Sequence, residues 1–444
     1  MCADRFYSRG PGILSGKREG MQSRKEFLQK SAAFLGAFFL PAHLMPEEDY
    51  DDITVPSSVK SVIFLNMAGG MSHVDTFDPK AGQSVFSGVA TSISGIQFAE
   101  TMKATAKEAS RVSLIRSTWS EDGDHSFGQK LLHTGYRVPQ AQAFPDIPSF
   151  GAIIAYAKKR KDKGPYFPSH ITMGSRGGLT GRSGFLGVKY GAFQIGNLDN
   201  PVTHLKPAVG RIAEDRKGRR GKMLDMLNES FSKDTSSAQV DQWKQMYLAA
   251  LDFANSERLD VFDISKEKPE LRAKFGESSI GKSLLMAKRL AQAEVPFIEL
   301  TVGGWDTHND NAAKIKGITK DLDPALAALL GELGSSGLLK QTLVVLSSEF
   351  GRTPDVGTRD GRDHWPKVWT TLIAGGSIPQ GAVIGESDPK GQKPAKRPVH
   401  VREIVATIYR ASGVDPDAHP YNSMGRPFPL VPRGTEAVSE LVGN

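Results

Sequence analysis

Five short, largely apolar β-rich runs constrain this 444-residue chain more than any other feature. They lie at residues 62–65, 112–115, 297–300, 342–346 and 369–373. A strand wetted on one face alternates apolar with polar residues, whereas a strand covered on both faces reads as a continuous apolar run. Helical periodicity occupies much of the intervening sequence, at residues 148–160, 240–256, 280–292 and 311–333. Pro148 suits a first-turn position, Ser279 suits a cap, and Pro324 marks a place where the last helix can break. The pattern predicts an α/β fold, with a mostly parallel central sheet flanked by helices.

Charge narrows the function. The chain carries 56 Lys and Arg against 49 Asp and Glu, a surplus of seven. Residues 1–46 hold seven basic and three acidic residues, so four of those charges belong to the N-terminus and three to everything else. A nucleic-acid-binding body is therefore excluded. The lone cysteine, Cys2, leaves the body without a disulfide, a thiolate metal site or a cysteine nucleophile. Nucleotide-cradling glycine patterns are also missing from the glycine- and arginine-rich stretch at 174–222, which predicts loops laid over the strand ends.

The N-terminus has the layout of an export signal: Ser23-Arg24-Lys25-Glu26-Phe27-Leu28, an apolar run at 32–40, then the acidic run from Glu47 to Asp52. An apolar run of about nine residues is too short to span a bilayer. The motif is similar to a twin-arginine signal with Lys25 in place of the second arginine, and translation can start at Met1 or Met21. The expected organisation is a leader over 1–46, an acidic linker over 47–59 and one domain over 60–443, with the insertion at 174–222. The expected location is the periplasm or the exterior, with no transmembrane span and a leader able to act as an anchor.

Four clusters of acid, base and metal-capable residues follow predicted strand ends: Gly69-Gly70-Met71-Ser72-His73-Val74-Asp75, Glu121 to Ser126, Gly303-Gly304-Trp305-Asp306-Thr307-His308, and Ser348-Glu349-Phe350-Gly351-Arg352 with Arg362-Asp363-His364. Carboxylates and imidazoles from neighbouring strand ends suit a divalent ion, Zn²⁺, Ca²⁺, Mn²⁺ or Mg²⁺. The candidate ligands are Asp306, His308, Glu349 and His364, with Asp75 nearby. Plainer readings stand beside this one: Asp306 as a helix cap, Glu349 as an ion-pair partner of Arg352, His364 as a hydrogen-bonded loop residue.

The strings GGMSHVDTFDPK, DHSFGQKLLHTG, GGWDTHNDN, SSEFGRTP, GRDHWP and VREIVATIYRASGVDP together resemble the domain of unknown function 1501 family, in the alkaline phosphatase and sulfatase superfamily. The likeness implies an alkaline-phosphatase-like three-layer sandwich and a metal-dependent hydrolase of sulfate or phosphate esters. Its partners would be sulfated or phosphorylated small molecules or glycans. Aligned on the sulfatase pattern, His125 falls at the nucleophile position and Gln129 replaces an arginine, while Asn66 replaces the first-strand aspartate. His125 and Ser126 are thus the candidate catalytic residues, with Arg352 and Arg176 as anion clamps. The departures also allow a member without catalysis that binds a sulfated or phosphorylated glycan or an envelope partner.

Overall fold

The computed structural model describes residues 53–137, 147–158, 166–174, 182–202, 250, 253, 256–420 and 426–443. The leader, most of the acidic linker, Arg176, much of the 174–222 insertion and most of the helix expected at 240–256 lie outside the described residues. Among those described, no helix is long and apolar enough to cross a membrane.

All five apolar runs fall on strands of one sheet, the second starting one residue before its strand. Its described members, in chain order, are β1 (Ser61–Met67), β2 (Ser113–Trp119), β3 (His170–Gly174), β4 (Phe193–Ile195), β5 (Phe297–Val302), β6 (Thr342–Ser347), β7 (Trp369–Ala374), β8 (Val383–Ile384) and β9 (Val399–His400). The spatial order is β8-β2-β7-β6-β1-β5-β3-β4, with β9 also paired to β2. Every residue of β1, β5, β6 and β7 is buried. Side chains of β1 alternate between two cores: Ile63, Leu65 and Met67 enter one, Val62 and Phe64 the other.

Helices close both faces. On one lie α3 (Ser279–Gln292) and α4 (Asn311–Ser335), contributing Leu284, Leu290, Leu326 and Leu330. On the other lie α1 (His125–Thr134), α2 (Phe150–Ala157) and α5 (Val401–Ser412), contributing Leu131, Ile153, Ile154 and Ile408. The result is the three-layer sandwich expected from the sequence, with a mostly parallel sheet.

Three local expectations need correction. Ser149, not a proline turn, starts α2: its side chain accepts from the Ala152 N–H, and Pro148 lies outside the helix. Ser278 caps α3 and Ser279 is its first residue. The last helix does not break: α4 passes through Pro324, which removes one backbone donor without ending a 25-residue helix anchored by a deeply buried face.

One strand sets the geometry of the site. β7 pairs antiparallel with both β6 and β2, whereas β1 runs parallel to β5 and β6. The residues just before β7 therefore sit at the rim where its neighbours end. Loops leaving β1, β2, β5 and β6 and the segment entering β7 converge on that rim, the usual place for ligands in an open α/β sheet.

Candidate metal centre

At the end of β1, Gly69 and Gly70 adopt φ of 116° and 89°, a region closed to most L-residues. Contact also demands glycine at position 69, because a Cβ there would lie 2.5 Å from the Asp306 nitrogen. The turn thus lets the loop after β5 press against β1 and carries Asp306 to the middle of the rim.

Three imidazoles surround the Asp306 carboxylate. His308 Nε2 and His364 Nε2 lie 3.2 and 3.3 Å from its Oδ1, and His125 Nε2 lies 3.5 Å from its Oδ2. The two former nitrogens are 3.0 Å apart. His125 opens α1, which Asp124 caps by accepting from the Ser126 and Phe127 N–H groups. His364 belongs to a two-stranded ribbon with Arg352, and the Phe350 ring packs against both His125 and His364 at centroid distances of 4.9 and 4.6 Å.

The opposite ring nitrogens set the tautomers. His308 Nδ1 lies 2.9 Å from Asp363 Oδ1, His364 Nδ1 2.7 Å from the Gly123 carbonyl, and His125 Nδ1 2.9 Å from Glu349 Oε1. Each partner is an acceptor, so each Nδ1 carries the proton and, in the neutral ring, each Nε2 presents a lone pair. Three lone pairs then face one carboxylate, which the Arg352 guanidinium also contacts, and a cation or an added proton among the imidazoles would relieve their mutual repulsion. Neighbouring ligand atoms of a tetrahedral site with bonds of about 2.0–2.1 Å are roughly 3.3 Å apart. The spacings of 3.0, 3.2 and 3.3 Å among His308 Nε2, His364 Nε2 and Asp306 Oδ1 are close to that value, and His125 Nε2 lies 3.5 Å from the other carboxylate oxygen. His125, Asp306 and His364 form a compact candidate metal-binding triad, with His308 against two of its members.

Titration follows the partners. The hydrogen bond to Glu349 raises His125 above the ordinary imidazole range, against the opposing effect of burial. His364 is lowered, chiefly by burial, its Nδ1 having only a neutral carbonyl as partner. Burial works to raise Asp306, but hydrogen bonding to the Arg352 guanidinium outweighs it and the carboxyl falls below its usual range.

The remaining sequence candidates occupy different environments. Glu349 faces the cluster through His125: its Oε1 accepts from the Gly69 N–H at 2.8 Å as well as from His125, and its Oε2 from the Ser348 hydroxyl at 3.2 Å. It holds a ligand ring rather than standing among the Nε2 atoms. Arg352 is fully buried, donating to Asp306 and to the carbonyls of Gly69, Gly70 and Arg362. Its guanidinium therefore points into the wall of the site, not toward solvent, and the pairing with Glu349 weighed from sequence is replaced by one with Asp306. Asp75 is also fully buried, away from the cluster, and accepts from Arg362 at 2.7 Å, Ser72 at 2.8 Å and Asn311 at 2.8 Å. These donors leave its carboxylate no capacity for a metal. Ser126 stands next to His125, its N–H bonded to the Asp124 cap.

Sequence reasoning had not singled out Asp363 or the Gly123 carbonyl as orienting groups. The run Asp363-His364 held the signal for the first: the adjacent acceptor and imidazole meet the two nitrogens of the His308 ring, Asp363 at Nδ1 and His364 at Nε2. The two departures Asn66 and Gln129 face each other, with Asn66 Nδ2 donating to Gln129 Oε1 at 3.1 Å. A neutral amide pair thus stands where the resemblance would place an aspartate and an arginine.

No curated protein matches this sequence. Similar solved structures include the lipoteichoic acid synthase LtaP from Listeria monocytogenes, at 9% identity over 88% of this chain and 78% of that chain, with a TM-score of 0.37. The PsFucS1 sulfatase from Pseudoalteromonas sp. matches at 14% identity over 80% and 68%, with a TM-score of 0.36. A protein in the alkaline phosphatase superfamily from Vibrio parahaemolyticus matches at 11% over 87% and 75%, with a TM-score of 0.35. Residues 59–442 match the family model described as protein of unknown function, DUF1501, and the chain belongs to that family.

Proposed function

We propose that this protein is an exported, metal-dependent hydrolase of sulfate or phosphate esters carried on small molecules or glycans. The observation that carries this reading is the convergence of three Nε2 lone pairs on the Asp306 carboxylate, with each Nδ1 already held by an acceptor. His125, His308, His364 and Asp306 are the residues that would hold the ion. A divalent cation bound there supplies Lewis acidity toward an ester oxygen and acidifies water near neutral pH. Nitrogen-rich donors favour Zn²⁺ over Mn²⁺, Ca²⁺ and Mg²⁺, which prefer oxygen.

The chain's own groups divide the remaining work. Glu349, Asp363 and the Gly123 carbonyl set the tautomers and ring directions of the three histidines. Arg352 keeps Asp306 ionised and fixed. Phe350 forms an apolar wall that limits ring rotation. Side-chain exposures of 38% for His125, 44% for His308 and 48% for Asp306 leave the cluster open to a substrate from solvent. Ser126, beside His125, remains the hydroxyl nearest in sequence for a covalent route, and Arg176 the remaining candidate for anion binding.

The test is metal analysis of the purified protein combined with aryl-sulfate and aryl-phosphate assays. Bound metal near one equivalent and turnover that both disappear in His308→Ala support the reading. Metal-free protein without turnover overturns it. The internal commitment of Arg352 favours one second reading, a non-catalytic binder of sulfated or phosphorylated glycans; stoichiometric metal with glycan binding but no hydrolysis selects it.

A further inference from the structure

The basic stretch from Lys390 to Arg397 takes no part in the metal cluster, yet the fold brings it alongside. It forms the tip and return strand of a short antiparallel hairpin, Glu386–Ser387 with Pro394–Lys396. Two ring nitrogens hold that tip in place. The indole N–H of Trp365 donates to the Gln392 carbonyl at 2.8 Å, and Nε2 of the buried His73 lies 2.9 Å from the Gly391 carbonyl. Trp365 follows His364 directly, so alternation along the ribbon carries its ring beside the metal cluster rather than into it. The ring is pinned by its own N–H and remains partly exposed.

Some of the nearby cations are already matched. Lys396 pairs with Glu386 at 2.6 Å, Arg397 with Glu403 and Glu440 at 2.9 and 2.8 Å, and Lys80 with Asp78 at 3.0 Å. Three others are not. Lys390 and Lys393 flank the two held carbonyls on the tip, and the Lys367 amine lies 4.7 Å from the centre of the Trp365 ring. All three lysines are exposed, and none has an acidic partner among the described residues. Asp388, the acid of the tip, accepts from the Lys390 and Gln392 N–H groups through Oδ1 and so shapes the turn.

Like charges gathered without counter-ions repel, and an anion lying among them removes the repulsion. A fixed aromatic surface beside them adds a contact face at little entropic cost. A sugar presents C–H groups to an aromatic face and carries sulfate, phosphate or carboxylate groups on its edge, so a charged glycan uses both halves of the patch. We infer that Trp365, Lys367, Lys390 and Lys393 form a subsite for a charged sugar unit next to the one at the metal centre. The substrate is then an acidic glycan with anionic groups on successive units, rather than a singly esterified small molecule. The role of the neighbouring centre rests on the ester-hydrolase reading above, whereas binding at the subsite needs no turnover.

Calorimetric titration with dextran sulfate oligosaccharides tests this, with unsulfated dextran oligosaccharides and single-stranded oligothymidylate as comparisons. Dextran sulfate is expected to bind, to weaken at least about tenfold from low to high salt, and to shift the tryptophan emission, a shift that Trp365→Phe removes. Unsulfated dextran should not bind, and oligothymidylate should bind at least about tenfold more weakly. The pair Lys390→Glu, Lys393→Glu should weaken dextran sulfate about tenfold or more, and Lys390→Arg, Lys393→Arg should retain it. The pair Lys268→Glu, Lys340→Glu makes the same change of charge at exposed positions elsewhere and should leave binding within about threefold. Absent binding, unchanged emission, equal weakening by the two charge-reversal pairs, or oligothymidylate binding as tight as dextran sulfate overturns the inference. Metal content and turnover are read separately: lysine-dependent glycan binding by a metal-free, inactive wild type supports the subsite and overturns the hydrolase reading, and turnover with binding indifferent to Lys390 and Lys393 does the reverse.

Discussion

His308 Nε2 faces His364 Nε2 across 3.0 Å while both rings spend their Nδ1 protons on acceptors elsewhere. Neutral imidazoles so placed repel, and a divalent ion removes the repulsion. Zn²⁺ at a hundredfold excess over its dissociation constant should stabilise the fold by about 2.7 kcal/mol. Denaturant unfolding with and without a chelator reads this directly, and His364→Ala should erase the difference. An unfolding midpoint indifferent to metal would mean that a proton alone holds the cluster.

Glu349 acts on the centre through the His125 ring. Replacing it with glutamine keeps the size but removes the charge that favours Nδ1–H and the basicity of Nε2. A loss of metal affinity of about 10- to 100-fold is expected. Competition against a chromophoric chelator measures it; unchanged affinity would assign the orientation of His125 to Phe350 packing alone.

Gly69→Ala should harm both the fold and the centre. The new Cβ would meet the Asp306 nitrogen at 2.5 Å and the Trp305 carbonyl carbon at 2.9 Å, with φ at +116°. Backbone strain of this kind costs on the order of 1–3 kcal/mol before the collision is counted. Gly82→Ala separates the two effects, since Gly82 has φ of +75° and open space around its Cβ position. The expected result is a modest stability loss with full metal binding at position 82, and a larger loss with weakened metal binding at position 69.

Beneath the site, His133 Nε2 lies 3.0 Å from Glu299 Oε1, with both side chains almost wholly buried. Burial alone would lower the imidazole pKa, but the Glu299 charge and hydrogen bond outweigh it and the net shift is upward. A base with a raised folded pKa contributes stability that is complete below its unfolded value, near 6.5, and is lost as pH rises through the folded pKa. Wild type should therefore lose stability above pH 6.5 relative to a His133→Gln, Glu299→Gln double variant. Glu299→Ala alone should cost roughly 3–5 kcal/mol, because it strands a buried imidazolium. Chemical denaturation across pH 6–9 decides; parallel profiles for wild type and double variant would contradict the upward shift.

The fold was legible because its evidence is one-dimensional. Each doubly covered strand writes a continuous apolar run, and residues 62–65 or 342–346 need no knowledge of their neighbours to be read. β8 and β9, two residues each, are too short to leave such a trace. At the site, the residue types and their position after strand ends were readable, but side-chain direction was not. Asp75 and Asp306 look equivalent as acids beyond a glycine pair, yet one is enclosed by Arg362 and Asn311 and the other meets three histidines. Arg352 reads as an anion clamp until the Gly69 and Gly70 carbonyls are seen to draw it inward. Such outcomes depend on contacts between segments hundreds of residues apart.

The reversal of β7 has a consequence for the order in which the molecule assembles. It returns the chain to the rim so that residues separated by 56, 58 and 224 positions meet at one point. A coil in which these loops are open offers at most isolated imidazoles, and closing them is entropically costly. High-affinity capture of an ion by all four groups can therefore occur only after the sheet is threaded as far as β7. An ion held there would work as a clasp: it would add nothing to the early collapse and would instead slow the opening of the finished topology.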